Sequence, residues 1–275
     1  MVLIYNMILK LISKMKINII KAHGTQNHFI IIYDKKNDPY LKKKETIQKL
    51  CKSTDSKRID GLLLLSNENQ YDFKMDYYNN DGTWETMCAN GARCAALYMH
   101  THQNRNSKLK FLAGDGPHQA EILNDSYVRL KMSPPKYCSK EIKLFDISGF
   151  HVDSGAAHFT VEYPGISNQE VKELGAKIRY DDIFQPRGIN VNFYERINSN
   201  EINVKTYEKG IEDLMMSCGS GSVACAYHLA QNNFIESSTK INVLGGELMV
   251  DFNTTWDNVW LSGPAHIEHQ TEVNI

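Results

Sequence analysis

Two cysteines 130 residues apart, Cys88 and Cys218, stand in matching local settings. Cys88 opens Cys88-Ala89-Asn90-Gly91 and Cys218 opens Cys218-Gly219-Ser220-Gly221, each ahead of a small-residue run that reads as a helix. A thiol just before a helix meets unpaired backbone N–H groups and the positive end of the helix dipole. There its pKa is expected to fall from about 8.5 into the range ~3.5–7.5, which supplies thiolate at neutral pH. The same N–H groups suit a carboxylate, and the Ala-Asn-Gly and Gly-Ser-Gly segments leave room for it to approach the backbone. Two such helix starts facing each other could take a proton from one face of an α-carbon and return one to the other. A lone cysteine is otherwise a small buried hydrophobe, which is the reading for Cys51, Cys94, Cys138 and Cys225. No Cys or His pair has zinc-ligand spacing, and no C-x-x-C occurs.

The elements that must carry these thiols are mostly short strands. Expected strands are Ile17–Ile20, Phe29–Tyr33, Gly61–Leu65, Asp72–Asn79, Tyr127–Met132, His158–Tyr163, Asn190–Tyr194, Ile202–Tyr207, Ile241–Val243, Glu247–Phe252 and Val259–Ser262. Helical patterns cover Tyr40–Cys51, Gly91–His102, Asn168–Ile178 and Ser222–Asn232. Strands in runs with isolated helices favour an α+β fold, and no G-x-G-x-x-G follows a strand. The cysteine repeat, near half the chain length, implies two similar halves facing each other across a cleft. The prolines of Ser133-Pro134-Pro135-Lys136 mark the boundary, giving halves 15–134 and 135–275 after an N-terminal extension at 1–14.

A chain of 275 residues is long for one small module, and 31 Lys+Arg against 32 Asp+Glu leaves a formal charge of −1. That balance gives no footprint for nucleic acid or an anionic membrane, and no stretch reaches the ~20 apolar residues of a membrane span. Six cysteines are too sparse for a disulfide scaffold, and a reducing cytoplasm is the expected location. Met1–Lys14 is apolar but broken by Lys10 and Lys14 without a cleavage signal, so Met15 stands as an alternative start.

Lys21-Ala22-His23-Gly24-Thr25-Gln26-Asn27-His28-Phe29, Tyr78-Asn79-Asn80-Asp81-Gly82, Met87 to Cys94, Gly188 to Phe193, Tyr207 to Gly210, Ser217 to Gly221, Gly245 to Leu248 and Ser262 to Ala265 together resemble the diaminopimelate epimerase family. The resemblance runs from about Met15 to Ala265. It implies a two-domain pseudo-symmetric fold and a small amino-acid substrate. It also implies epimerisation in lysine and peptidoglycan precursor biosynthesis, without pyridoxal phosphate or metal, and is compatible with a homodimer. Cys88 and Cys218 match the family's base and acid pair. Ala89 and Asn90, with Gly219 and Ser220, match the helix starts that hold the α-carboxylate. Asn27, Asn79 and Asn190 match substrate-binding asparagines, and His158 and Glu208 match polar groups beside the reacting centre that hold the α-amino group and help tune the thiols.

The departures at Lys209 and Ala156-Ala157 fall in the pocket expected for the distal end of the substrate. Lys209 replaces the family's arginine, and Ala156-Ala157 replace its Asn-Pro, while Gln26, His28 and Ala89 replace Gly, Asp and Gly. A lysine keeps the charge but loses the two-pronged guanidinium grip. Two other readings stay open: a racemase of proline, hydroxyproline or histidine on the same fold, and a non-enzymatic thiol redox sensor. Proline-type enzymes usually have a His soon after the first cysteine, where this chain has Asn90.

Overall fold

Short segments with one face buried dominate the chain, and strand pairing satisfies their backbone groups. The computed structural model describes residues 16–53 and 58–274, in which the strands join one 19-stranded mixed sheet. The extension at 1–14 and Met15 lie outside the described residues. The α-helices among them are α1 (Lys44–Lys52), α2 (Ala89–Gln103), α3 (Asn168–Arg179) and α4 (Gly219–Gln231).

The repeat read from the cysteines is a repeat of topology. In the first half, Asn27–Tyr33 runs parallel to Gly61–Glu68 with α1 in the crossover. Tyr71–Asn79 then pairs antiparallel with Gly61–Glu68 and parallel with Lys108–Ala113, and α2 fills that second crossover. The second half repeats this with Ala157–Glu162 parallel to Asn190–Asn198 across α3, and Glu201–Glu208 parallel to Thr239–Val243 across α4. Tyr127–Met132 and Val259–Pro264 join the halves as an antiparallel pair, with Leu130 opposite Leu261. Beyond that seam each chain segment crosses over: Lys136–Tyr137 pairs with Ile147–Asp153, and His266–Asn274 returns to pair with Lys16–Gly24.

The helices divide by sequence character. α1 buries Thr46, Ile47, Leu50 and Cys51 at i, i+3, i+4 spacing, and α3 starts with a Ser167/Glu170 capping box and buries Val171, Gly175 and Ile178. Both outer helices are thus amphipathic. α2 is buried on every side from Ala89 to Met99, and most of α4 is buried too, so these helices are wrapped by sheet. Only small residues allow that wrapping; a Cβ on Gly91 would lie 2.7 Å from a Leu63 methyl. Cys94 and Cys225 are packed inside these helices, whereas Cys138 lies on the surface, contrary to the buried role expected for it. Leu261 is fully buried in the core shared by the halves, so its truncation to Ala should cost about 2–5 kcal/mol.

Several elements differ from the sequence expectation. α2 and α4 begin earlier than read, because Cys88 and Cys218 are themselves the N-caps. The helix expected over Tyr40–Cys51 splits into a 3₁₀ turn at Pro39–Lys42 and α1, divided at the extended Lys43. Strand His266–Asn274 gives little apolar alternation because most of its side chains stay exposed or half-buried; pairing with Lys16–Gly24 defines it.

Candidate active site

Cys88 and Cys218 arrive at their helices in nearly the same extended conformation, φ −128° and −129°. Each follows a short strand, Trp84–Glu85 or Asp213–Met215, that turns the chain back toward the sheet ends. The helix starts abut: a Cβ on Gly219 would lie 2.9 Å from the Ala89 Cβ. Between them opens a cleft of about 340 Å³.

The cleft wall includes Asn27, Asn79, Cys88, Ala89 and Asn90 from the first half. Asn190, Glu208, Lys209, Cys218, Gly219 and Ser220 come from the second, so all but one of the expected site residues meet there. Ala156 and Ala157 also line it. The exception is His158. It is fully buried behind Ser220, with Nε2 2.9 Å from the Ser220 Oγ. The direct hold on a substrate amino group expected for it therefore has no access to the cleft. A cavity of about 270 Å³ elsewhere, beside Phe193 and Leu244, contains no thiol.

Around Cys88, amide orientations are set from charged ends. Asn27 Nδ2 donates to the Asp60 carboxylate at 2.6 Å, which leaves Asn27 Oδ1 to accept from the Cys88 thiol at 3.8 Å and from Asn90 Nδ2 at 3.3 Å. Asn27 is presented by a tight hairpin in which Thr25 and Gln26 both hold positive φ, 53° and 58°. Glycine adopts that conformation more readily, consistent with Gln26 replacing the family's glycine. The buried Arg93 guanidinium donates to Thr25 Oγ1 at 2.9 Å and to Asn90 Oδ1 at 2.8 Å. On the other side, Lys209 N–H donates to Asn190 Oδ1 at 2.9 Å, while the Lys209 side chain lies exposed at the rim. Glu85 faces it from the opposite wall: burial raises the Glu85 pKa and Lys209 opposes the rise.

The electrostatics correct one expectation. Burial pushes the Cys88 thiol up to about 12, and Glu208 adds to the rise, while the Asn90 and Gly91 N–H groups and the Arg93 charge work against it. Burial raises Cys218 as well, with Glu208 adding and the Gly221 N–H and Ser220 opposing. The helix-start effect is present, but desolvation by burial exceeds it. Burial also lifts Glu208 to about 8, with Asp60 and Glu85 contributing. His158 falls to about 3 through burial and His151, and stays neutral at physiological pH.

Sequence reasoning missed Tyr77, Glu85, Ser154 and Ser217 in the wall, and Asp60, Arg93 and Asn192 behind it. Arg93 gave a signal, being a charged residue inside an otherwise small, apolar helix. Asp60 and Asn192 gave none, because only strand register brings them to the site.

The fold is shared with solved proteins of remote sequence. A Bacillus anthracis phenazine biosynthesis protein of the PhzF family aligns with a TM-score of 0.73 at 11% identity, over 95% of this chain and 100% of that one. A hydroxyproline epimerase from Agrobacterium vitis aligns at 0.70 and 13% identity, over 94% and 93%. These place the chain in the diaminopimelate epimerase-like fold, a two-half architecture with a cleft between halves. The family model for diaminopimelate epimerase matches residues 19–138 and 150–267. The diaminopimelate epimerase of Flavobacterium psychrophilum is 36% identical over 92% of this chain and 98% of its own length, and that of Aquifex aeolicus 31% over 90% and 94%. The chain belongs to the diaminopimelate epimerase family, a family of isomerases.

Proposed function

We propose that the chain interconverts LL- and meso-diaminopimelate, with Cys88 and Cys218 exchanging protons at the α-carbon from opposite faces. The observation that carries this reading is the pair of cysteine N-caps on two abutting, buried helices at one cleft. The α-carboxylate binds at the helix starts of Ala89-Asn90 and Gly219-Ser220, where backbone N–H groups and the positive dipole ends converge. The α-ammonium sits against Glu208, whose raised pKa falls as the opposite charge arrives. Asn27, Asn79, Asn190 and Lys209 receive the rest of the substrate, Lys209 facing its distal carboxylate.

In one direction a thiolate takes the α-proton and becomes a thiol. The electron pair left on carbon then takes the proton of the opposite thiol, which becomes the thiolate. The cycle inverts the α-carbon and leaves the proton on the other sulfur. A buried thiolate of raised pKa is a stronger base than an exposed one, which suits a weakly acidic C–H bond.

In this reading 15–134 and 135–275 are the two halves of one catalytic unit, with the last strand crossing back. The enzyme works in the cytoplasm, where its thiols stay reduced. Among the described residues no helix is long and apolar enough to cross a membrane. The cleft is complete within one chain, so a homodimer is not needed to build it.

The test is α-deuterium incorporation from deuterated water, with LL-diaminopimelate, proline, hydroxyproline, histidine and glutamate as separate substrates. Exchange and inversion are expected for diaminopimelate, and inversion should be lost in both Cys88→Ala and Cys218→Ala. Preference for another amino acid would replace the substrate, and the absence of all exchange would leave the redox sensor.

A further inference from the structure

The cleft wall carries a tyrosine that the proton transfer between the thiols does not use. Tyr77 stands in Tyr71–Asn79, opposite Leu63 on one neighbouring strand and Glu85 on the other. It is buried, yet it lines the cleft. Gly61 makes room for its ring, since a Cβ there would lie 2.6 Å from Tyr77 Cε2. Phe29 meets the ring edge-on, with centroids 6.1 Å apart and planes at 78°. Side chains two apart on a strand share a face, and the Tyr77 hydroxyl donates to Asn79 Oδ1 at 2.8 Å.

That bond decides which end of Asn79 the cleft sees. With Oδ1 held by the phenol, the NH₂ group points away from it. It points toward the turn that follows Glu208, where a Cβ on Gly210 would stand 3.5 Å from Asn79 Nδ2. The hydroxyl stays a neutral donor, because burial, Cys88 and Glu208 hold its pKa well above the usual phenol value. The other cleft asparagines have their NH₂ groups engaged. Asn27 donates to Asp60, Asn90 to Asn27 and the Ser217 carbonyl, and Asn190 to the Ala157 carbonyl. Among the described residues, no protein acceptor takes the Asn79 NH₂, which lies in the cleft wall with Lys209. Two N–H donors near an ammonium suit a carboxylate, whereas a carbonyl oxygen in their place would repel one.

We infer that Tyr77 is a positioning residue: its hydroxyl locks the Asn79 amide with the NH₂ toward the cleft, where it and Lys209 receive the distal carboxylate of the substrate. This rests on the reading of a substrate that has a distal carboxylate.

Steady-state epimerisation of diaminopimelate tests it. Tyr77→Phe keeps the ring and removes the hydroxyl, so KM should rise about tenfold, as for one hydrogen bond to charge, while kcat changes far less. In an Asn79→Ala background the same change should raise KM no further. A loss confined to kcat, or an equal rise in KM in both backgrounds, would mean a merely structural role for Tyr77 and overturn the inference. Asn79→Asp supplies a second check that leaves Tyr77 in place. It keeps an oxygen for the phenol and puts another where the NH₂ was, so its KM should exceed that of Asn79→Ala. An Asp variant with a lower KM than the Ala variant would overturn the inference. If the wild type turns over diaminopimelate and Tyr77→Phe matches it in KM, the inference fails and the proposed function stands. If the wild type prefers an amino acid without a distal carboxylate, both fail.

Discussion

The side-chain amide of Asn90 in the first half donates to the backbone carbonyl of Ser217 in the second, at 3.1 Å, one residue before Cys218. The same amide accepts from Arg93 and donates to Asn27. One buried asparagine therefore sets the spacing between the two thiol-bearing helix starts. Asn90→Ala removes that tie and leaves Arg93 and the Ser217 carbonyl short of a partner. Loss of buried partners at about 1–3 kcal/mol each should lower melting temperature, and the loosened cleft should lower kcat by at least ~10-fold. Thermal melts and steady-state assays on the same preparation check both; unchanged kcat would remove Asn90 from the spacing role.

The contact between Ala89 and Gly219 has room for one methyl group. Gly219→Ala should reduce turnover sharply, because its Cβ would stand 2.9 Å from that of Ala89 and 2.7 Å from a Leu261 methyl. Ala89→Gly should be tolerated alone and should restore part of the activity when combined with Gly219→Ala. A double variant no better than Gly219→Ala would contradict this packing account.

Glu208 makes the stability of the fold fall as pH rises from about 5 to 8. Its ordinary pKa of 4.5 is lifted to about 8 by burial, with Asp60 and Glu85 adding. Between those values the folded chain keeps a proton that the unfolded chain has released, so stability falls as pH rises through the window. Glu208→Gln cannot ionise, and its melting temperature should decline less than that of the wild type from about pH 5 to 8. Parallel declines would show that Glu208 is not the group responsible.

Lys209 stands at the rim, exposed, and its charge is screened more than that of a buried pair. Lys209→Met should therefore lower kcat/KM for diaminopimelate by about tenfold or less. Lys209→Arg should keep activity and can gain from two-pronged binding of the distal carboxylate. If the Met variant turned over diaminopimelate as the wild type does, the distal contact would have to be sought among the asparagines.

What the residues determined locally was legible in the sequence. Small residues after Cys88 and Cys218 leave those segments little choice but buried helices, and their N-termini carry donors wherever they lie. The spacing of the two motifs foretold the repeated topology, and apolar alternation marked the central strands. Three features were decided only in the tertiary structure. Burial of the facing helix starts raised both thiols, because desolvation depends on what covers a group. Parallel pairing of Ala157–Glu162 with Asn190–Asn198 set His158 near Asn192 and behind Ser220; no sequence spacing reports a register between strands separated by a helix. The polar strand His266–Asn274 exists because Lys16–Gly24 offers it an edge, and that edge is formed by residues some 250 positions away.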